Sequence, residues 1–171
     1  MIYSKIIETP IGSMLACSVD EGICLFEFYD NKNLELELKK LVEALSDTVI
    51  EQSCNVIDLL EKQLSEYFEG KRENFTVPLY LIGTDFQKKV WSNLLNIDFG
   101  KTITYKEQTL ALGDVKAIRA VASANGANKI PIVIPCHRVV GSNGKLTGYS
   151  GGLWRKEYLL DLENRQYKIK L

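Results

Sequence analysis

The sequence predicts an α+β protein with two domains, spanning residues 1–80 and 81–171. Three observations lead to this prediction. The first thirty residues form short apolar runs between turn residues, as strands do, whereas later segments place apolar residues at helical spacing. The chain of 171 residues is longer than a typical domain of about 100–150 residues. The charge also changes sign near the middle of the chain.

The amino-terminal half is predicted to contain three strands and two helices. Runs rich in β-branched and aromatic residues, separated by Gly-containing turns, predict an antiparallel hairpin or meander. The predicted strands span residues 2–8, 14–19 and 23–29. Apolar residues at helical spacing, with charges between them, predict helices over residues 33–45 and 56–68, the second capped by Gly70. Residues 70–83 resemble an extended connection.

Two capping boxes mark helix starts in the carboxy-terminal half. Thr84 is followed three residues later by Gln87, and Thr104 by Glu107. In this pattern each side chain bonds the backbone N–H of the other residue. The second box predicts a short helix that ends near Gly113. The first predicts a helix carrying the apolar residues Val90, Trp91, Leu94 and Leu95.

A further helix is predicted over residues 115–125, capped by Asp114 and ended by Gly126. Two short helices around a Gly-containing turn have the outline of a helix-turn-helix, although most such hairpins are only packing units. Residues 153–164 (LWRKEYLLDLEN) combine leucines with charged residues and predict an amphipathic closing helix.

Composition excludes several classes of protein. Hydrophobic residues make up 46% and charged residues 25% of the chain, which excludes disordered, collagen-like and coiled-coil proteins. No apolar run approaches the roughly 18 residues of a membrane span, and the first ten residues do not resemble a signal peptide. We therefore expect a cytoplasmic protein with reduced thiols and no membrane partner. A single histidine and the absence of closely spaced cysteine pairs predict no metal site.

The net charge of −1 conceals an asymmetry. Residues 1–82 carry 7 Lys/Arg and 15 Asp/Glu, a balance of −8, whereas residues 83–171 carry 14 and 7, a balance of +7. A basic half beside an acidic half suggests that one part meets a polyanion, usually nucleic acid. Unevenly distributed surface charge is the alternative. Together with the helix-turn-helix outline, the balance favours DNA.

Cys136 is the candidate nucleophile. It follows an apolar run, residues 131–135, that we expect to be an extended strand. A cysteine with an ordinary pKa of about 8.5 is only a few per cent thiolate at neutral pH, so it needs a base or a positive charge nearby. His137 and Arg138 follow directly. Because adjacent side chains on extended backbone point apart, a water can bridge His137 to the sulfur. The alternative is a small buried hydrophobic residue at a strand end.

The motif IPCHRVV, followed by GYSGG after a Gly-rich turn, resembles the active-site signature of the O6-alkylguanine-DNA alkyltransferases. The similarity extends through TDFQKKVW, the Thr104-Tyr105 pair and AIRAV, while residues 1–55 fit only in outline. The resemblance implies a ribonuclease-H-like amino-terminal domain and a helical carboxy-terminal domain with a helix-turn-helix. It also implies double-stranded DNA containing alkylated guanine as the partner and no cofactor, and we expect a monomer.

The resemblance assigns catalytic roles to five residues. Cys136 would accept the alkyl group, and a Glu163–His137–water relay would supply its thiolate, with Glu157 as the competing carboxylate on the same helix. Asn128 would be a hinge that bridges the turn before the strand to the backbone near the nucleophile. Tyr105 would hydrogen-bond the guanine and donate a proton as it leaves. One departure from the family is Lys129, where proline is usual.

The same resemblance places other residues at the DNA. Arg119 would fill the space left by the flipped base, since a guanidinium is always charged and stacks on bases. The alanines of its helix would allow close approach to the minor groove, although alanine is also simply the best helix former. The remaining matches would cover the base (Tyr149, Ser150 and Gly151), line the alkyl pocket (Val139) or approach phosphates (Lys106 and Ser142).

The implied reaction is direct reversal of DNA alkylation, in which Cys136 takes the alkyl group of O6-alkylguanine irreversibly. Each molecule would act once, because a thioether has no easy leaving group; whether O4-alkylthymine is also a substrate is left open. One alternative is a non-catalytic helix-turn-helix protein of the alkyltransferase-like type, which carries another residue in place of the cysteine. A second is a Cys-His hydrolase, whose base must hydrogen-bond the sulfur directly.

Overall fold

The first 28 residues fold into three strands that pair with their neighbours in sequence: β1 (Ile2–Thr9), β2 (Gly12–Val19) and β3 (Gly22–Phe28). This antiparallel meander confirms the prediction from the apolar runs. Gly22 lies close to the extended connection over residues 70–83. A Cβ added at Gly22 would be only 2.7 Å from the Pro78 carbonyl oxygen. The connection pairs there with β3, because Ile23 N–H donates to Pro78 O at 2.9 Å.

A fourth strand, β4 (Val49–Glu51), was not predicted and pairs in parallel with β1, so that the sheet order is β3-β2-β1-β4. Its three residues are too few and too exposed to produce an apolar pattern. Helices α1 (Leu34–Leu45) and α2 (Asn55–Phe68) complete this part of the chain. The core includes Cys17 and Cys24, whose thiol pKa values burial raises to about 12.

The structure, a computed structural model, describes residues 1–169, with side chains through Arg165. It divides after Ile82 into two units, each with its own internal contacts. None of the described helices has the length and apolar character needed to cross a membrane. Nor do the described residues contain three or more His, Cys, Asp or Glu side chains grouped as metal ligands.

The second unit is built mainly from helices. Both capping boxes form as predicted, at Thr84 with Gln87 and at Thr104 with Glu107. A short parallel ladder joins Ile103 to Val139. The elements are α3 (Asp85–Leu94), β5 (Ile103–Thr104), α4 (Tyr105–Ala111), α5 (Ile118–Gly126), β6 (Val139–Val140) and α6 (Leu153–Ile169).

Hydrogen bonds between buried groups join α5 to α4 and to α3. The buried amides of Gln108 and Asn125 bond each other reciprocally, at 2.9 and 2.7 Å. The indole N–H of Trp91, on α3, donates to Ala124 O of α5 at 2.8 Å. Because these buried polar groups are paired with one another, they stabilise the packing of α5 against its two neighbours.

The predicted start of α5 was wrong. Asp114 does not cap the helix, which begins at Ile118 with Ala117 in the cap position. Instead the Asp114 side chain accepts from Lys116 N–H at 2.9 Å and its carbonyl accepts from Ala117 N–H at 3.2 Å. Aspartate can bond its own following backbone in this way, and here the local turn delays the helix by three residues.

The predicted strand over residues 131–135 was also wrong. The segment is a tight turn, in which Ile134 N–H donates to Ile130 O at 2.9 Å and Ile132 has a positive φ of 74°. The two prolines have no N–H to give to a ladder, so the apolar run lacks the donors that a strand needs. Burial of the whole segment explains its apolar composition.

Candidate active site

Asn128 fixes the backbone that leads to the nucleophile. Its side-chain oxygen accepts from Ile130 N–H at 2.9 Å, and its amide donates to Ile134 O at 2.8 Å. The same Ile134 carbonyl accepts from Cys136 N–H at 2.8 Å. Asn128 is buried, so these bonds are protected from water. Lys129 follows in place of proline and leaves both hydrogen bonds of Asn128 intact.

The backbone of Cys136–Arg138 is one turn of 3₁₀ helix, not the extended chain expected from the sequence. Cys136 is 9% exposed and lines a cavity, whereas the His137 side chain is fully buried. The turn therefore presents the sulfur to the cavity and places the imidazole within the protein.

Glu163, on α6, is the partner of His137. Its Oε1 lies 2.8 Å from His137 Nε2, and both oxygens also accept from the Arg138 guanidinium, at 2.9 and 3.0 Å. A further Arg138 N–H donates to Ile97 O at 2.6 Å. Glu157, the competing carboxylate, is exposed. From the sequence, Arg138 is expected only to supply positive charge near Cys136, because its carboxylate partner is 25 residues away.

The ionisation of Glu163 decides the tautomer of His137. Burial works to raise the pKa of this carboxyl, but attraction to His137, together with hydrogen bonds from His137 and Arg138, outweighs burial and holds the pKa well below its usual range. An ionised carboxylate can only accept hydrogen bonds, so His137 Nε2 must carry the proton that is donated to Glu163. In a neutral ring Nδ1 is then the acceptor. It is buried and bonds no group in the part of the chain that the structure describes.

The cavity above Cys136 has a volume of about 510 Å³. Five of the residues singled out from the sequence line it: Tyr105, Arg119, Cys136, Tyr149 and Ser150. It is completed by Ile118, Ala122, Asn125, Gly126, Thr147 and Gly148. Helix α5 and the segment before α6 thus supply most of the lining around the sulfur.

Other expected residues lie elsewhere. Val139 is fully buried and pairs with Ile103 in the small sheet, so it does not line the cavity. Gly151 follows the lining segment but is not part of the wall. Lys106 and Ser142 are exposed and are not among the lining residues; Lys106 directly follows Tyr105 on α4, and Ser142 lies in the turn after β6.

Tyr105 places its hydroxyl at the cavity, where it donates to Thr147 O at 3.0 Å. Burial is the main cause of a raised pKa at Tyr105; the hydrogen bond to Thr147 opposes the shift, and negative charge on Cys136 adds to it. A neutral phenol with a raised pKa remains protonated at neutral pH and can serve as a hydrogen-bond donor.

Lys156 is a site residue that the sequence reasoning missed. Its ammonium group is fully buried and donates to Val139 O at 2.6 Å, Thr147 O at 3.0 Å and Gly148 O at 3.3 Å. Burial lowers its pKa, while negative charge on Cys136 opposes that shift. A signal was present, because Lys156 lies seven residues before Glu163 and three before the buried Leu159, on the inner face of α6.

Two family models together match nearly the whole chain. Residues 1–81 match the ribonuclease-like domain of 6-O-methylguanine DNA methyltransferase, and residues 85–165 match its DNA binding domain. The predicted fold class, a ribonuclease-H-like domain followed by a helical DNA-binding domain, is confirmed.

Named relatives and solved structures agree. A methylated-DNA–protein-cysteine methyltransferase of Methanosarcina barkeri is 43% identical over 98% of this chain and 100% of its own length. The constitutive methylated-DNA–protein-cysteine methyltransferase of Bacillus subtilis is 36% identical over 99% of this chain and 100% of its own length. The crystal structure of Mycobacterium tuberculosis O6-methylguanine methyltransferase superposes with a TM-score of 0.82 at 36% identity, covering 97% of this chain and 94% of that one. A structure of the mycobacterial protein with DNA also has a TM-score of 0.82, at 36% identity, covering 96% and 94%. The chain therefore belongs to the 6-O-methylguanine DNA methyltransferase family.

Proposed function

We propose that this protein repairs alkylated DNA by direct reversal, transferring the alkyl group of O6-alkylguanine to its own Cys136. The observation that carries the proposal is the cavity that opens on Cys136, beside a histidine that bonds a buried, ionised glutamate. The names of the relatives support the same reaction.

The proposed chemistry begins with loss of the Cys136 proton to His137 Nδ1, directly or through one water. The thiolate attacks the alkyl carbon, forming a C–S bond while the bond from that carbon to guanine O6 breaks. The electron pair passes to the guanine, which takes a proton as it leaves. Negative charge on Glu163 favours the imidazolium that forms, because the two groups are only 2.8 Å apart. The thioether persists, so one protein repairs one lesion.

The proposed DNA complex is built around α5. Arg119 is exposed on this helix and lines the cavity, as a side chain that replaces a flipped base must. The Tyr105 hydroxyl would exchange its bond to Thr147 for one to the guanine. Lys106 and Ser142, both exposed, would approach phosphates. We further propose that the protein acts in the cytoplasm, as a monomer, on double-stranded DNA.

Replacing the nucleophile tests the function directly. We expect Cys136→Ala to abolish alkyl transfer while leaving affinity for duplex DNA nearly unchanged, because affinity depends on phosphate and groove contacts. Intact mass after incubation with duplex DNA containing O6-methylguanine should increase by one methylene group for the native chain and not for the variant. Binding would be measured with the same duplex.

Cys54→Ala is the matched control, since Cys54 is half-buried in the first unit. The Cys54→Ala variant should gain the same mass as the native chain. Transfer by the Cys136 variant would place the nucleophile elsewhere. A native chain that binds the lesion without gaining mass would instead be a lesion-binding protein.

A further inference from the structure

The segment that leads into α6, residues 147–152, is here called the substrate loop. Four of its residues line the cavity: Thr147, Gly148, Tyr149 and Ser150. Gly148 and Gly152 have positive φ angles, of 60° and 94°, that other residues rarely adopt. Glycine has much conformational freedom to lose on ordering, so a loop of this composition depends on contacts from outside to hold its shape.

Two neighbouring cations at the start of α6 hold the substrate loop from its two ends. Lys156 bonds the carbonyls at the beginning of the loop, those of Thr147 and Gly148. Arg155 bonds its end, donating from Nη1 to Gly151 O at 3.1 Å. The Arg155 side chain belongs to a residue that is only 5% exposed, although arginine is usually a surface residue.

Trp154 covers the Arg155 guanidinium. Its ring centroid lies 4.8 Å from Arg155 Cζ, well within the range of a cation–π contact. The indole also lies beside the loop's last glycine, because a Cβ added at Gly152 would be 3.3 Å from Trp154 Cδ1. Trp154 is itself 56% exposed, so it adds little to the core. It therefore lies beside both the loop and the cation that bonds the loop.

We propose that Arg155 and Trp154 form a latch that positions the substrate loop over the base, and that both are positioning residues for alkyl transfer. The inference rests on the proposed function, because the loop is taken to cover the reacting guanine. Arg155 supplies the bond to Gly151, and Trp154 holds the guanidinium flat and shields that bond from water. Neither side chain lines the cavity, so the latch acts on the substrate only through the loop.

The latch should affect every substrate that enters the cavity, whether or not it arrives in DNA. Loosening the loop misplaces the base relative to the sulfur, and a displacement of about 1 Å can reduce a rate by about a hundredfold. Arg155→Ala should therefore slow transfer from both duplex O6-methylguanine and free O6-benzylguanine by tenfold to a hundredfold, on the order expected for such misplacement. Affinity for duplex DNA should stay the same.

Three further variants complete the experiment. Arg155→Lys keeps a positively charged hydrogen-bond donor but loses the planar group that stacks on Trp154. It should therefore recover part of the rate that Arg155→Ala loses. Trp154→Ala should reduce the rate of transfer less than Arg155→Ala does. Leu153→Ala is the matched control, because Leu153 is 48% exposed on the same turn and should transfer like the native chain. Single-turnover rates, thermal midpoints and hydrogen exchange of a peptide covering the loop would be measured for each.

Faster exchange in the loop of Arg155→Ala, with slower transfer and partial rescue by lysine, is the expected result. Native transfer and native loop exchange in Arg155→Ala would overturn the latch. So would a rate loss matched by a general fall in thermal midpoint and by faster exchange throughout the second unit, which would make Arg155 a structural residue only. If the native chain transfers nothing, the proposed function fails, while loop exchange still decides whether the latch exists.

Discussion

At Glu163 one carboxylate organises the chemistry of its neighbours. It fixes the proton of His137 on Nε2 and bonds the Arg138 guanidinium through both oxygens. All three residues are buried, so each charge depends on the others for compensation. Because the carboxylate that bonds His137 also neutralises a buried arginine, a change at Glu163 should affect both the imidazole and the stability of the fold.

Glu163→Gln should lower the free energy of unfolding by about 3–5 kcal/mol at pH 7, since it leaves a buried guanidinium without its counter-charge. The folded-state pKa of Glu163 is depressed. The contribution of Glu163 to the free energy of unfolding is therefore complete above its pKa in the unfolded chain, about 4.3. This contribution is lost as the pH falls from there towards the lower pKa of Glu163 in the folded protein. The stability gap between the native chain and the variant should narrow below that pH in urea unfolding curves.

Glu157→Gln is the control for this measurement, because Glu157 is exposed on the same helix. It should match the native chain at every pH. If the difference in free energy of unfolding between the native chain and Glu163→Gln stays constant from pH 7 to acidic pH, the contribution of Glu163 comes from its shape and not from its charge.

On the scale of elements, α5 lines the cavity and lies in the part of the chain that matches the family's DNA binding domain. Its inner side bonds Gln108 through Asn125 and Trp91 through the Ala124 carbonyl, while Arg119 remains exposed at the cavity rim. A helix tied in this way can hold an exposed arginine at a set position. The rigid support is what would let Arg119 occupy a gap in a base stack.

Arg119→Ala should slow repair of O6-methylguanine in duplex DNA by about tenfold or more, as a loss of about 1.4 kcal/mol implies. Unstacking a base costs a few kcal/mol, and the arginine is proposed to offset part of that cost. Reaction with free O6-benzylguanine should barely change, because a free base needs no flipping. Single-turnover rates on the two substrates provide the comparison.

Ser123→Ala is the control for Arg119, being exposed on α5 without lining the cavity. It should leave both rates unchanged. Equal losses for Arg119→Ala on the two substrates would assign the residue to the fold or to the thiolate. Arg119 and Arg155 thus have opposite signatures, since only the latch variant should slow reaction with the free base.

On the scale of the whole molecule, the two units carry opposite net charge. The chain has a net charge of −1, yet its second half carries an excess of 7 positive charges. An acidic protein overall would be repelled by DNA if its charge were evenly spread. Concentrating the positive charge in the part that carries α4 and α5 allows that part to meet a polyanion.

Duplex affinity should fall steeply with salt, because each neutralised phosphate releases counterions. Lys106→Ala should weaken binding to lesion-containing and normal duplexes equally and reduce the slope of log affinity against log salt by about 1. Titrations at several salt concentrations measure both quantities. Lys40→Ala, which removes an exposed lysine from the acidic half, should change neither. An unchanged slope for Lys106→Ala would remove Lys106 from the phosphate contacts.

Local signals predicted most of the elements. Both capping boxes formed where they were expected, because a capping box needs only four consecutive residues to satisfy its own hydrogen bonds. The failures occurred where distant partners or competing local bonds decide. β4 exists only because β1 is available beside it, and the run over residues 131–135 was apolar because it is buried, not because it is a strand.

The sequence by itself determined which chemical groups this protein has: a cysteine beside a histidine, a carboxylate on the closing helix, an arginine and a tyrosine in a basic half. A short motif carries this information because the chemistry requires particular side chains. Only the tertiary structure decided how they meet. The 3₁₀ turn that separates sulfur from imidazole, the three bonds of Lys156 and the hold of Arg155 on Gly151 depend on contacts from across a turn or across the unit. Hydrogen-bond geometry in a buried site is set by packing, which no periodicity in the chain records.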